Sequence, residues 1–344
     1  MRLFTLIVAA VVLAASSAAA QTLATVTIGV VPSVPAGATW IAVEKGYFRE
    51  GGIEVQLEKI ESAAPAMAYL ASNRLQVVEG GLAAGYWNAL SQGLPIIMAL
   101  ERGSSPLYHD LLVRPDLAGQ FKTVADLKGR TVALVAPGSS VLYEMGKTLE
   151  TAGLTIKDVE VKYIPFPQMG VALANKAVDA ALEVPPFGEV IVTQKLGVRW
   201  LDTDDYIKPQ PISFIAYLAN TDWIAKNPEL ARKFFVALVR GGRDYCQAYH
   251  HGPNRQEVED IMWKYRAVND REMIHTMAWQ ARDPNGRFNV ASVLDVQDWF
   301  AKENMIKEKF PAARLIDTSY SDYAAKQLPP FEVINKDSTL KGCR

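Results

Sequence analysis

Two stretches of this chain repeat one pattern of apolar and polar positions about a hundred residues apart. Thr27-Ile28-Gly29-Val30-Val31-Pro32 lies over Thr131-Val132-Ala133-Leu134-Val135-Ala136 at an offset of 104. The same offset lays Val55-Gln56-Leu57-Glu58-Lys59-Ile60 on Val159-Glu160-Val161-Lys162-Tyr163-Ile164. Each copy begins with a β-rich run, breaks in a loop of Pro, Gly and Ser, and continues through helix, strand, helix and a short apolar strand. In the first copy the pattern predicts strands over 26–31, 53–57 and 76–78, and helices over 39–45, 65–72 and 83–91. Such alternation predicts parallel sheets with crossover helices. Two half-similar α/β units predict two lobes whose strand ends and helix starts surround a shared cleft.

The extended runs Leu111-Leu112-Val113-Arg114-Pro115 and Ile212 to Leu218 bracket the second unit and read as paired crossovers, where a hinge would lie. Lobe one would then be discontinuous, residues 21–111 plus 215–344, and lobe two would span 112–214. The last third reads as helix. Asn227-Pro228-Glu229 is a start signal, and Leu230, Phe234, Phe235, Leu238 and Val239 recur at helical spacing. Further helices are expected over 258–265, 272–280, 290–303 and 321–328, padding lobe one.

The N-terminus changes the picture of where the chain works. Arg2, an apolar run from Leu3 to Ala15 and Ala18-Ala19-Ala20 read as a cleaved export signal over residues 1–20, which predicts a soluble periplasmic protein. The signal removes only Arg2 from 36 basic residues against 37 acidic ones. That balance argues against nucleic acid or an anionic membrane as the partner. Cys246 and Cys343 stand far apart in sequence; export permits a disulfide between them, and two unpaired thiols is the alternative.

Several stretches, taken in order, carry a family resemblance. They are Ile41-Ala42-Val43-Glu44-Lys45-Gly46-Tyr47-Phe48 with Gly52-Ile53-Glu54-Val55, then Asp126-Leu127-Lys128-Gly129-Arg130-Thr131-Val132-Ala133. Ala177-Val178-Asp179-Ala180 with Pro185-Pro186-Phe187 follows, then Asn227-Pro228-Glu229 and Asp317-Thr318-Ser319-Tyr320. The chain resembles the type II periplasmic binding proteins of ABC importers, in the nitrate, sulfonate, taurine and thiamine-precursor branch. The resemblance implies a two-lobed α/β fold, each lobe a mixed and mostly parallel sheet flanked by helices. It also implies a small-molecule solute, an ABC permease as transient partner, a monomer, no cofactor and no catalysis. One departure is Asn73-Arg74-Leu75-Gln76, where the family often has glycine-x-valine-aspartate.

Candidate binding residues cluster where strands give way to helices. Gly37-Ala38-Thr39 and Gly138-Ser139-Ser140 each open a helix, whose unpaired N–H groups and hydroxyls suit an oxyanion or other acceptor. The same residues could equally cap their own helices. Glu183 ends a short strand at the expected cleft edge and would recognise an amine, an amidine or a ring N–H; a solvated or loop-capping role is the alternative. Glu79 corresponds to it at the offset of 104, whereas an offset of 103 makes Gly80 the match. Trp40 and Phe187 could stack on a planar ligand or pack in the core, and the Tyr86-Trp87 pair less readily. Arg102 and Ser104 follow a strand ending near the hinge. Ser33, Gly80, Gly81, Pro185 and Phe214 complete the set.

Other chemistries fail on spacing. Gly138 through Gly146-Lys147-Thr148 spaces its glycines too widely for a phosphate-binding loop. His109, His250, His251 and His275 make no metal or triad pattern. A related cytosolic thiamine-pyrimidine enzyme would need a cysteine-rich site and no export signal. A periplasmic sensor subunit would need only the same cleft. The expected function is therefore capture of a small polar solute, a zwitterion or nitrogen heterocycle, for an ABC permease, with an alkanesulfonate, taurine or nitrate as the alternative.

Overall fold

The computed structural model describes residues 23–344 apart from residues 62, 267 and 269. The export signal read over 1–20 lies outside the described residues. Ten strands among the described residues form two five-stranded sheets. The first combines Ala24–Val30 (β1), Ile53–Lys59 (β2), Val77–Gly81 (β3), Ile96–Ser104 (β4) and Ser213–Asn220 (β10) in the order β2-β1-β3-β10-β4. The second combines Asp110–Val113 (β5), Thr131–Leu134 (β6), Glu160–Tyr163 (β7), Ala180–Glu183 (β8) and Val198–Asp202 (β9) in the order β7-β6-β8-β5-β9. The strands β1, β2 and β3 run parallel, as do β6, β7 and β8. Antiparallel strands fill the remaining places: β10 runs between β3 and β4, and β5 between β8 and β9. The α/β fold with two mixed sheets is as expected.

Strand pairing decides the register that the sequence left open. Ile28 pairs with Val77 and Gly29 with Val78, while Val132 pairs with Ala180 and Ala133 with Ala181. The first strands correspond at 104 and the third strands at 103, so Glu183 corresponds to Gly80 and Glu79 to Leu182. One residue of slip turns a side chain to the other face of a sheet. The departure at Gln76 is also explained. Thr131 N donates to Asp179 Oδ2 at 3.0 Å in the second lobe, and Thr27 N donates to Gln76 Oε1 at 2.8 Å in the first. A glutamine carbonyl does the work of the aspartate.

The two extended runs are not themselves the hinge. The strands they contain are buried along their length because each is an inner strand, β5 in the second sheet and β10 in the first. Burial on both faces is what makes such strands continuously apolar. The chain crosses between sheets through residues 105–109 and 203–212, so β5 already belongs to the second sheet at Asp110.

Pro228–Tyr249 starts after Asn227 as expected, and Val290–Lys302 and Ser319–Gln327 lie close to their expected bounds, whereas the helix expected over 272–280 ends at Thr276. Padding of lobe one alone is a reading the structure corrects. Helix Val290–Lys302 packs on both lobes, because its buried face carries Val293, Val296, Trp299 and Phe300. Asp295 accepts from Tyr143 Oη at 2.7 Å and pairs with Lys147 at 3.1 Å, both on helix Ser140–Glu150 of the second lobe. One apolar cluster therefore runs from Trp87 and Leu218 in the first lobe through Phe300 to Tyr143 and Leu182 in the second. At the far end Cys246 and Cys343 are joined, with Cα atoms 5.0 Å apart, and Tyr249 Oη donates to Lys341 O at 2.6 Å.

Candidate ligand-binding site

A cavity of about 90 Å³ lies where the ends of both sheets meet. The first lobe supplies Ser33 and Pro35 from the turn before helix Gly37–Glu44, Gly80 and Gly81 from the end of β3, and Arg102 from β4. Phe214 and Ile215 form its floor on β10. The second lobe supplies Ser139 and Ser140 at a helix start, with Val184, Pro185 and Phe166 opposite. His109 enters from the first crossing segment, Gln280 from the C-terminal region, and Glu61 stands at the exposed rim.

The lobes touch beside the cavity. Ala84 N donates to Gly138 O at 2.8 Å, and any Cβ at Gly81 would collide with the Ser140 hydroxyl. Only glycine permits this approach. Ser139 is the N-cap of helix Ser140–Glu150 with extended backbone, yet its hydroxyl caps nothing, is buried and has no hydrogen-bond partner among the described residues. The hydroxyl and the N–H groups of the helix start together present donors at one corner of the cavity.

Arg102 is 2% exposed, not a surface residue, and its Nε donates to Glu79 Oε2 at 2.8 Å. Its Nη2 is buried without a partner among the described residues, as is Glu79 Oε1. Burial raises the Glu79 carboxyl above its usual range, and the Arg102 charge opposes that shift. Thr39 donates to Glu79 Oε2 at 2.9 Å and lies 2.9 Å from Tyr217 Oη. Its hydroxyl is thus consumed inside the lobe. Gly37 and Ala38 sit beside it in the core against helix Pro228–Tyr249, where a Cβ at Gly37 would meet Tyr245 and Met262. Trp40 stacks on Tyr265 with ring centroids 5.2 Å apart, so it packs in the core and not on a ligand. Glu79 supports the wall through Arg102 without entering it.

Three further candidates also lie off the wall. Ser104 borders the opposite side of the crossing, Gly138 turns the chain into its helix at φ +62°, and Phe187 stacks on the lining Phe166 with centroids 5.6 Å apart. Glu183 is fully buried, one residue ahead of Val184, with neither oxygen hydrogen-bonded among the described residues. Burial holds its carboxyl well above the usual range, opposed by the Val184 backbone. Alternation along β8 places Glu183 on the face of Ala181, which packs with Met169 and Ile191, and that is why it stands behind the wall.

His109 and Gln280 are wall residues that sequence reasoning missed. His109 Nδ1 lies 2.9 Å from Glu144 Oε2, and Thr203 Oγ1 donates to His109 O at 3.1 Å. Burial opposes charge on the ring, the Glu144 carboxylate together with Asp204 and Asp202 outweighs it, and the His109 pKa is raised. Its signal in the sequence was its place between two apolar runs. Gln280 is buried with both amide atoms unpartnered among the described residues, and it arrives through the bridge that Ala281 makes with Ser104. No local pattern foretold it.

Residues 19–262 match the model of the NMT1-like family. The chain belongs to the NMT1-like family. Within reach of this NMT1-like protein, the formylaminopyrimidine-binding protein of Halalkalibacterium halodurans is 22% identical over 289 residues, 79% of this chain and 84% of that one. A ligand-binding component of an ABC-type import system from Staphylococcus aureus, with zinc bound, shares the fold at TM-score 0.72, 12% identity, 88% of this chain and 99% of that one. The alkanesulfonate-binding protein SsuA of Xanthomonas axonopodis pv. citri, bound to MOPS, follows at TM-score 0.68, 14% identity, 86% and 97%. The desulfurization enzyme DSZB also shares the fold, at TM-score 0.57, 16% identity, 88% and 99%. The resemblance to type II periplasmic binding proteins is borne out.

Proposed function

We propose that this NMT1-like protein is the exported solute-binding component of an ABC importer, a monomer that carries a small polar organic solute to permease subunits. The observation that carries the reading is a cavity held between two touching lobes whose wall keeps Ser139 Oγ, Arg102 Nη2 and both ends of the Gln280 amide unpaired among the described residues. A buried polar atom without a partner costs about 1–3 kcal/mol, so a solute that satisfies several of them stabilises the closed arrangement. Closure pivots on residues 105–109 and 203–212.

Ser139 and Arg102 present donors, and Gln280 presents both a donor and an acceptor. A zwitterion or nitrogen heterocycle uses all three. A relative that binds formylaminopyrimidine and a fold neighbour in an ABC-type import system support this reading. A plain sulfonate or nitrate is the second reading, favoured by Arg102 and His109 standing in one wall. Glu183 enters neither version directly, since it stands behind the wall.

The test is a thermal-shift panel on mature protein refolded to strip carried-over solute. Formylaminopyrimidine, taurine, alkanesulfonates, nitrate, amidines and aromatic carboxylates form the panel. A ligand at about a hundred times its Kd adds roughly 2.7 kcal/mol, which moves the midpoint by several degrees. A shift with one class, and no product by mass spectrometry, supports solute binding. Turnover of a panel compound replaces it with catalysis.

A further inference from the structure

We propose that His109 reads the charge of the solute: its Nε2 donates to an anionic group of the ligand, so capture of that solute requires the ring in its protonated form. The proposal rests on the cavity being the solute site and adds a substrate class to it, a molecule bearing a carboxylate, sulfonate or similar anion.

The geometry assigns the two ring nitrogens different tasks. Glu144 faces Nδ1 with oxygens at 2.9 and 3.2 Å. An ionised carboxylate only accepts, so Nδ1 carries a hydrogen in either charge state of the ring. The proton that comes and goes is therefore on Nε2. Nε2 has no hydrogen bond within the protein among the described residues, and the ring forms part of the cavity wall. The ring is fixed from both sides: Phe214 meets it edge-on with centroids 5.6 Å apart, and Glu144 holds its rear edge. Glu144 is itself held by the Thr203 hydroxyl. It acts through His109 and is a positioning residue.

The charges around the ring favour the protonated form when an anion arrives. Glu144 faces it from helix Ser140–Glu150, Asp202 from the end of β9 and Asp204 from the turn that follows. Around the cavity stand Arg102, already matched by Glu79, the rim carboxylate of Glu61, and the neutral groups of Ser139, Ser140 and Gln280. A neutral ring would turn its lone pair on an anion and repel it. A protonated ring adds a third donor beside Arg102 Nη2 and Ser139 Oγ.

Linkage gives the sign. The His109 pKa is raised in the folded protein, so anion capture is at full strength below it. Affinity then falls by about tenfold per pH unit above the midpoint of the solute-free protein. Carbon-13 histidine NMR on the whole mature protein follows this directly, with methanesulfonate, MOPS and taurine as probes and the His109 signal assigned by its loss in His109→Gln. The expected result is a His109 midpoint above the ordinary histidine value, moved further up by any probe that binds. Glu144→Gln keeps an acceptor at Nδ1 while removing the charge; it should lower the midpoint and carry the pH dependence of affinity down with it. Calorimetric binding of a probe with an unmoved His109 signal overturns the proposal and leaves the solute reading standing. Failure of every panel compound to bind overturns the solute reading and the proposal together. In that case the His109 midpoint still reports whether the free ring is set as described.

Discussion

Gly81 offers a direct test of whether lobe closure and solute binding are one event. A Cβ there would fall inside contact distance of Ser140 Oγ and 3.0 Å from Ser140 Cβ, with Phe214 O at an ordinary 3.9 Å. Gly81 is absent from the positive-φ glycines, so Gly81→Ala adds no backbone strain and the overlap across the lobes is the whole perturbation. Forcing a methyl into a packed contact costs about 1–3 kcal/mol. That penalty applies to the closed arrangement alone. At about 1.4 kcal/mol per factor of ten it should weaken solute affinity roughly 5- to 150-fold. Titration calorimetry with the compound that scores in the thermal panel reads the affinity, and small-angle scattering should show a more open particle. Ser140→Gly removes both offending atoms, so the double variant should regain most of the lost affinity, a coupling of the same size in a double-mutant cycle. Gly81→Ala with unchanged affinity and scattering would refute the reasoning.

Three further outcomes follow from the same geometry. Because the folded-state pKa of Glu183 is raised, its favourable contribution is present below the unfolded value and is lost as pH rises toward the folded one. Glu183→Gln should therefore leave the unfolding midpoint nearly unchanged near pH 4 and raise it increasingly toward pH 8, as followed by circular dichroism. Thr39→Val takes a donor from Glu79 and a partner from Tyr217, and should cost about 1–3 kcal/mol in urea denaturation while Kd changes little. Cys246→Ser opens a loop of 97 residues and should lower stability by about 2–4 kcal/mol, a difference that vanishes when both proteins are compared under reductant.

The sequence carried the architecture because strand-and-helix alternation is local, and it was repeated. It placed Ser33, Gly80, Gly81, Ser139 and Ser140 near one another because loops at strand ends share one edge of each sheet. It could not decide between Glu79 and Gly80 as the counterpart of Glu183, since that rests on pairing between Ile28 and Val77, far apart in the chain. Thr39 and Trp40 misled for a related reason: a helix start looks alike whether its side chains meet a solute or, as here, Glu79 and Tyr265. Arg102 read as a binding candidate, but its ion pair was not legible because Glu79 lies 23 residues away on another strand. His109 and Gln280 reach the wall from a crossing segment and a C-terminal stretch, and no periodicity marks either. The apolar runs at Leu111 and Ile212 pointed to the right part of the chain, but burial between neighbouring strands, not hinge motion, is what made them apolar.

The strand order of the first sheet bears on how the molecule is made. The strands β3 and β4 are separated by β10, which the ribosome delivers only after the entire second sheet. Until Asn220 has been synthesised, the first lobe has two unsatisfied inner edges, whereas every strand of the second lobe is present once Asp202 is made. A nascent chain of this topology finishes its middle before its beginning. Its N-terminal hundred residues wait for a strand made more than a hundred residues later before their sheet can close.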